Sequence, residues 1–530
     1  MRIQKIRLIC VIRDEKKRFE MALLMGIDIG TTSARTIVVD ERGTLLASAV
    51  EEYPLYNPKP LWSEQDPEDW WRATRNTIQR VLAEPNVEAG DITGIGLSGQ
   101  MHGLVMLDKN HNVLRPAILW NDQRTAEQCA WITDKVGKDV LVQQTCNPVL
   151  TGFTAPKIVW VRQHEPEVAD KAVMHLLPKD YVRFRLTGEF ATEVSDASGT
   201  SLFDVPNRRW SQVILEKLEI PEEHLPKSYE SPEVSGKIAR AVAEETGLRA
   251  GTPVVGGGGD QAAGAVGNGI VRSGVISVTT GTSGVVFAFA DMPVTDPQLR
   301  THTFCHAVPN KWHVMGVMLS AGGSLRWFRD ALCSEEVAVA RRMNVDPYGL
   351  IVAEAWNAPP GCEGLLFLPY LTGERTPYPN PHARGVFFGL TLRHSKAHLA
   401  RAILEGVAFG LRDSLEILKE MNVPIGEIRA SGGGARSVHW RQIQADVNGA
   451  PMAVINVDEG PAFGVALLAG VGAGVYASVE EACDAAIRTV SVTEPIADNT
   501  KIYDGYYAVY RALYASLKDR FSEVARLVSS

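Results

Sequence analysis

Asp260 follows four consecutive glycines and precedes an Ala-rich run, in a stretch (254–269) that reads Val-Val-Gly-Gly-Gly-Gly-Asp-Gln-Ala-Ala-Gly-Ala-Val-Gly-Asn-Gly. A β-branched pair running into glycines marks a strand that ends in a tight turn, where another group can approach the backbone closely. Asp260 then opens a helix, whose positive end favours the ionised carboxylate, so this residue can accept a proton. Taken alone it is equally well a helix cap. The argument for chemistry comes from its companions.

From residue 25 the chain reads Met-Gly-Ile-Asp-Ile-Gly-Thr-Thr-Ser-Ala-Arg-Thr-Ile-Val-Val-Asp, two β-branched runs joined by a turn, which predicts a β-hairpin. The turn at Gly30, Thr31 and Thr32 offers N–H groups and hydroxyls to an anion such as phosphate. Asp28, on the entering strand, is placed to hold a hydrated magnesium ion. Plain turn chemistry is the alternative. A similar hairpin recurs at 275–287, with Gly281 and Thr282 in its turn. Two such hairpins, one opening each half, predict an internally duplicated chain whose halves face one another across a cleft. Chance similarity of two short turns is the other explanation.

Two further segments could line that cleft. Ser98-Gly-Gln-Met-His-Gly103 is a small-residue strand end carrying Gln100 and His102 with Met101 between them. Such a loop can set hydrogen-bonding side chains against a polyhydroxylated ligand, although a histidine there can also be purely structural. Residues 428–435 read Ile-Arg-Ala-Ser-Gly-Gly-Gly-Ala, a strand running into glycines. A nucleotide could lie against Gly433, Gly434 and Ala435, its adenine side on bare backbone and its phosphates toward the hairpins. Neither a Walker motif nor a protein-kinase signature is present.

The elements that must carry these residues alternate between strand-like runs (92–97, 113–119) and helical ones (67–82), an α/β pattern. The 530 residues exceed one ordinary core, and 45% apolar with 22% charged residues is a soluble globular composition. A net charge of −8 with no basic stripe argues against nucleic acid or an anionic membrane as partner. Seven scattered cysteines without a Cys-x-x-Cys argue against a disulfide framework or zinc, and no apolar run reaches membrane-spanning length. A cytoplasmic protein is expected. The leader 1–24 is basic, its apolar piece is too short for a signal peptide, and the functional start is expected at Met21 or Met25.

The chain resembles the FGGY family of sugar kinases from residue 25 to about 473. One family signature is matched by Gly152-Phe-Thr-Ala-Pro-Lys-Ile-Val-Trp-Val-Arg-Gln-His164, and the other by Gly385-Val-Phe-Phe-Gly-Leu followed, after seven residues, by His398-Leu-Ala-Arg-Ala-Ile-Leu-Glu405. Leu186-Thr-Gly, Ser195-Asp-Ala-Ser-Gly-Thr200 and Gly258-Gly-Asp-Gln-Ala-Ala-Gly264 add to the match. The resemblance implies two actin-like, hexokinase-like (ribonuclease H-like) α/β ATPase domains facing across a cleft. They would be a sugar-binding domain at 25–270 and an ATP-binding domain with a helical tail at 271–530. It implies ATP as phosphoryl donor with Mg2+, Asp260 as catalytic base, and Asp28 acting at the magnesium, through water, and the phosphates. Gln100, Met101 and His102 would form the sugar site. Gly30, Thr31, Thr32, Gly281 and Thr282 would hold phosphates, with Gly433, Gly434 and Ala435 bordering the adenine. Arg35, where many members acting on D-xylulose carry lysine and those acting on glycerol carry arginine, would grip a phosphate in bidentate fashion.

Within the family, Ser98-Gly-Gln-Met-His-Gly103 and Leu119-Trp-Asn-Asp-Gln-Arg124 are most similar to the members that phosphorylate D-xylulose. Kinases for ribulose, gluconate or glycerol, and a non-catalytic ATPase of the same fold, are the alternatives. A homodimer is compatible with all of these readings.

Overall fold

The computed structural model describes residues 22–529. The leader read at 1–24 lies, through Met21, outside the described residues; strand β1 (Leu23–Ile29) begins just N-terminal of Met25. Strands β2 (Ser33–Asp40), β3 (Leu45–Glu52), β4 (Ile92–Gly99), β5 (Val234–Lys237) and β6 (Pro253–Val255) join it in the first sheet, in the order β5-β6-β4-β1-β2-β3. The second sheet contains β7 (Gly274–Thr280), β8 (Gly284–Ala290), β9 (His302–Cys305), β10 (Trp312–Met318), β11 (Ile425–Ser431), β12 (Met452–Ile455) and β13 (Thr489–Thr493), in the order β9-β10-β8-β7-β11-β12-β13.

The two sheets repeat one plan. In each, a hairpin and a third antiparallel strand (β1-β2-β3, β7-β8-β10) are followed outward by two parallel strands (β4 and β6, β11 and β12) and one antiparallel edge strand (β5, β13). The duplication read from two short turns therefore extends through six strands of each sheet, with β9 an addition at the edge of the second. Strand composition follows position. β1 is covered on both faces and is apolar almost throughout, whereas the edge strand β3 alternates buried and exposed residues. Helix α1 (Pro67–Leu82) starts at the Asp66 cap and lays Trp70, Trp71, Ile78 and Val81 on the first sheet. The predicted strand at 113–119 shrinks to Ala117–Ile118, because Pro116 lacks the N–H that a ladder needs.

Helices α3 (Asp260–Gly267) and α4 (Gly460–Gly472), taken after α2 (Pro178–Thr187), meet at the centre of the molecule. The contact is backbone on backbone. A Cβ on Gly464 would lie 1.8 Å from the carbonyl oxygen of Ala263, and one on Gly26 of β1 would lie 1.9 Å from that of Ala462. Around this crossing, Leu24, Ile37 and Val255 of the first half share one buried cluster with Phe287, Phe304, Ala466 and Leu468 of the second. At the C-terminal end, the helix Ala497–Ser529 anchors Tyr503, Tyr507 and Tyr510 in the second core. Among the described residues, no helix is long and apolar enough to cross a membrane.

Candidate active site

Sheet register sets the two carboxylates. Asp28 on β1 lies opposite Arg35 on β2 and Ser98 on β4. Gly258 and Gly259 then pair in parallel with Ser98 and Gly99, which delivers Asp260, the first residue of α3, to the same sheet end. Burial pushes Asp260 up to about 7, and the charge of Asp28 adds to that. Burial also pushes Asp28 up to about 6, against the opposing pull of Ser98 and Arg35. The helix end favours the ionised form of Asp260, and loss of water together with the like charge of Asp28 opposes it. Oδ1 of Asp28 is buried and without a protein partner. An orphaned hard oxygen of this kind fits a ligand for a hydrated magnesium ion.

The Gln100–His102 loop lies directly beside Asp260. A Cβ on Gly259 would sit 2.9 Å from the Met101 side chain, and one on Gly199 would sit 2.3 Å from the His102 ring. His102 adopts a left-handed backbone (φ 70°), an unfavourable conformation for a side chain of this size. It is held there from both ends. Nδ1 lies 2.7 Å from the Gly199 carbonyl, and Lys157 Nζ donates to the carbonyl of His102 at 2.7 Å. Burial first and the Lys157 charge second hold the imidazole well below its usual range, so it is neutral. A carbonyl against Nδ1 puts the proton there and leaves Nε2 as an acceptor for a hydroxyl. Met101 is buried against this wall. Gln100 is also buried, its amide donating to Gln65 Oε1 at 2.9 Å, so it braces the loop.

Each turn is closed by its glycine, the second one residue tighter: Gly30 N–H donates to the Ser33 carbonyl and Gly281 N–H to the Ser283 carbonyl, each at 3.0 Å. In the first, Thr31 accepts at its carbonyl from Gln65 and at its hydroxyl from Trp120, while Thr32 is exposed. In the second, Ala321, Gly322 and Gly323 donate to the carbonyls of Gly281 and Thr282. The Gly432 turn packs on Thr280 and Gly281. Next to it opens a cleft of about 640 Å³ between α3, the second sheet and the start of α4, lined by Asp260, Gly264, Thr279, Ser431, Ala435 and Asp458 among others. Of the three residues assigned to adenine, Ala435 lines the cleft, Gly433 has open space at its Cα, and Gly434 is buried against Thr280 and Trp440. Arg35 instead reaches across to Glu459 at 2.6 Å, joining the first hairpin to the head of α4.

A buried ionic network supports the Asp260 turn. Lys179 of α2 lies 2.8 Å from Asp180 and 2.9 Å from Asp196, all fully buried. Glu193, 3.5 Å from Lys179, accepts at 3.1 Å from the N–H of Gly259. Arg183 binds the carbonyls of Val255 and Gly256 at 2.6 and 2.5 Å. Sequence reading assigned roles to none of these residues, nor to Lys157, because a lysine's burial depends on contacts far away in the chain. The Leu186-Thr-Gly and Ser195-Asp motifs pointed at the right segments without naming the charges.

This fold and site belong to one class: the chain is a member of the FGGY family of carbohydrate kinases. The family's N-terminal domain matches residues 23–267 and its C-terminal domain residues 276–473. Among its relatives is the xylulose kinase of Escherichia coli, 42% identical over 87% of this chain and 92% of that protein. The xylulose kinase of Bacillus subtilis is 40% identical over 94% of this chain and 98% of its own length. The crystal structure of xylulose kinase from Rhodospirillum rubrum superposes with a TM-score of 0.86 at 31% identity, over 94% of this chain and all of that one (100%).

Proposed function

We propose that this kinase transfers the γ-phosphoryl group of ATP to the O5 hydroxyl of D-xylulose. The observation that carries the reading is the position of Asp260, which heads α3 between the Met101–His102 loop and the nucleotide cleft. Relatives named xylulose kinase at 40–42% identity over most of the chain supply the substrate.

In this mechanism the sugar hydroxyl attacks the γ-phosphorus in line, the bond to the bridging oxygen breaks, and ADP leaves. Asp260 accepts the hydroxyl proton, a task suited to a carboxylate whose pKa lies near 7. Nε2 of His102 accepts from another sugar hydroxyl and orients the chain. N–H groups of Thr31 and Thr32 in the first turn and of Thr282 in the second face the phosphates, those of Gly30 and Gly281 being used to close the turns. Magnesium, when bound, neutralises phosphate charge, and Asp28 would hold it through water. Arg35 has to exchange Glu459 for a phosphate if it is to serve the nucleotide. Closure of the halves excludes water as a competing acceptor.

Phosphorus and carbon NMR of the product tests the assignment: coupling of phosphorus to C5 of the sugar is expected. Phosphate on another carbon, or inorganic phosphate alone, would overturn it.

A further inference from the structure

Among the described residues, no hydrogen bond or ion pair engages the guanidinium of Arg375; only its backbone N–H is taken, by Glu374 Oε1 at 2.7 Å. Glu374 offers it little counter-charge. Its Oε1 also accepts from Leu319 N–H, and burial pushes the carboxyl up to about 8. Arg375 is half-buried, and its guanidinium donors are free for a ligand.

The surroundings of Arg375 supply matching acceptors. Thr376 donates through its hydroxyl to the Arg300 carbonyl at 2.7 Å and through its N–H to the Val317 carbonyl at 3.0 Å. This clips the loop to the β9–β10 pair, where His302 faces Met315. His302 is 4% exposed, and its Nε2 is buried without a partner. Its tautomer follows from Asn147. The Asn147 amide nitrogen donates to the carbonyls of Thr145 and Thr303 at 2.7 and 2.8 Å, so Oδ1 is the acceptor that faces His302 Nδ1 at 3.2 Å. The His302 hydrogen is therefore on Nδ1 and Nε2 carries a lone pair, as in His102.

One aromatic wall links the two imidazoles: His102 to Phe153 at 4.7 Å and Phe153 to His302 at 6.1 Å between ring centres. Arg375 is close enough for its charge to depress both, although burial is the larger cause in each case.

We infer that Arg375 and His302, both from the second half of the chain, complete the sugar pocket by holding the end of the ketose remote from the hydroxyl that is phosphorylated. The guanidinium donates to the carbonyl and hydroxyl oxygens there, and His302 Nε2 accepts from a hydroxyl. The sugar thereby bridges the two halves, with Met101 and His102 on one side and Arg375 and His302 on the other. This rests on the reading of the site as a D-xylulose site.

Calorimetric titration of D-xylulose, and separately of ADP, into wild type, Arg375→Met and His302→Asn tests the assignment, with thermal melting as the control for folding. Loss of a charged hydrogen bond predicts D-xylulose binding about 10–100-fold weaker in Arg375→Met, with a smaller loss in His302→Asn and ADP affinity unchanged. Wild-type affinity for D-xylulose in Arg375→Met overturns the inference alone. So does joint loss of sugar and ADP binding, because the residue would then be supporting the fold. Wild type that fails to bind D-xylulose removes the substrate reading and this inference with it.

Discussion

At the scale of single residues, the base proposed at Asp260 meets two conflicting demands, since the burial that pushes its pKa up to about 7 also makes its charge costly. Asp260→Asn is expected to lower turnover about 1,000-fold while nucleotide affinity holds, as steady-state kinetics and ADP titration would show. The same substitution should raise the melting temperature at pH 8. A carboxyl with a folded pKa near 7 and an unfolded value near 3.8 costs stability when ionised, and the cost fades as pH falls through 7. The difference in melting temperature between variant and wild type should therefore shrink between pH 8 and pH 5. In kinetics, kcat/KM for the sugar should fall on the acid side with an apparent pKa near 7, a value shared by the Asp28–Asp260 pair. A flat profile from pH 6 to 8 would contradict the role of Asp260. The two aspartates were legible in the sequence because glycine-rich turns advertise them. Their raised pKa values were not, because burial and mutual repulsion arise only when β1, β4 and α3 share one sheet end.

At the scale of elements, two glycines carry separate consequences. Gly199→Ala places a methyl 2.3 Å from the His102 ring and should raise the KM for sugar at least about 10-fold with ADP affinity unchanged. Gly464→Ala pushes against the backbone of Ala263 at the α3–α4 crossing, where neither helix can yield easily. It should cost on the order of 3 kcal/mol, read as a lower midpoint in denaturant. The hairpins, α1 and the α3 start were readable because each has a local signal: β-branched runs around a turn, an Asp-Pro helix start, glycines before Asp260. The α3–α4 crossing was not, because it pairs Gly267 with Gly460 across nearly two hundred residues.

At the scale of the whole molecule, the repeated sheet order and the shared cluster at the crossing describe two halves joined at α3 and α4, and closure of the halves on the sugar is the expectation to test. The duplication was visible in two turns, but nothing local in the chain signals that Arg35 reaches Glu459, since that contact depends on how the halves are set together. D-xylulose with ADP should contract the molecule in solution scattering, whereas an unchanged curve would argue against closure. The most direct measurement is ADP release by the purified chain with ATP and magnesium, comparing D-xylulose, L-ribulose, D-ribulose, glycerol and gluconate at one concentration. Strong stimulation by D-xylulose above the others is the predicted result; a different preferred acceptor, or no stimulation by any of them, would contradict it.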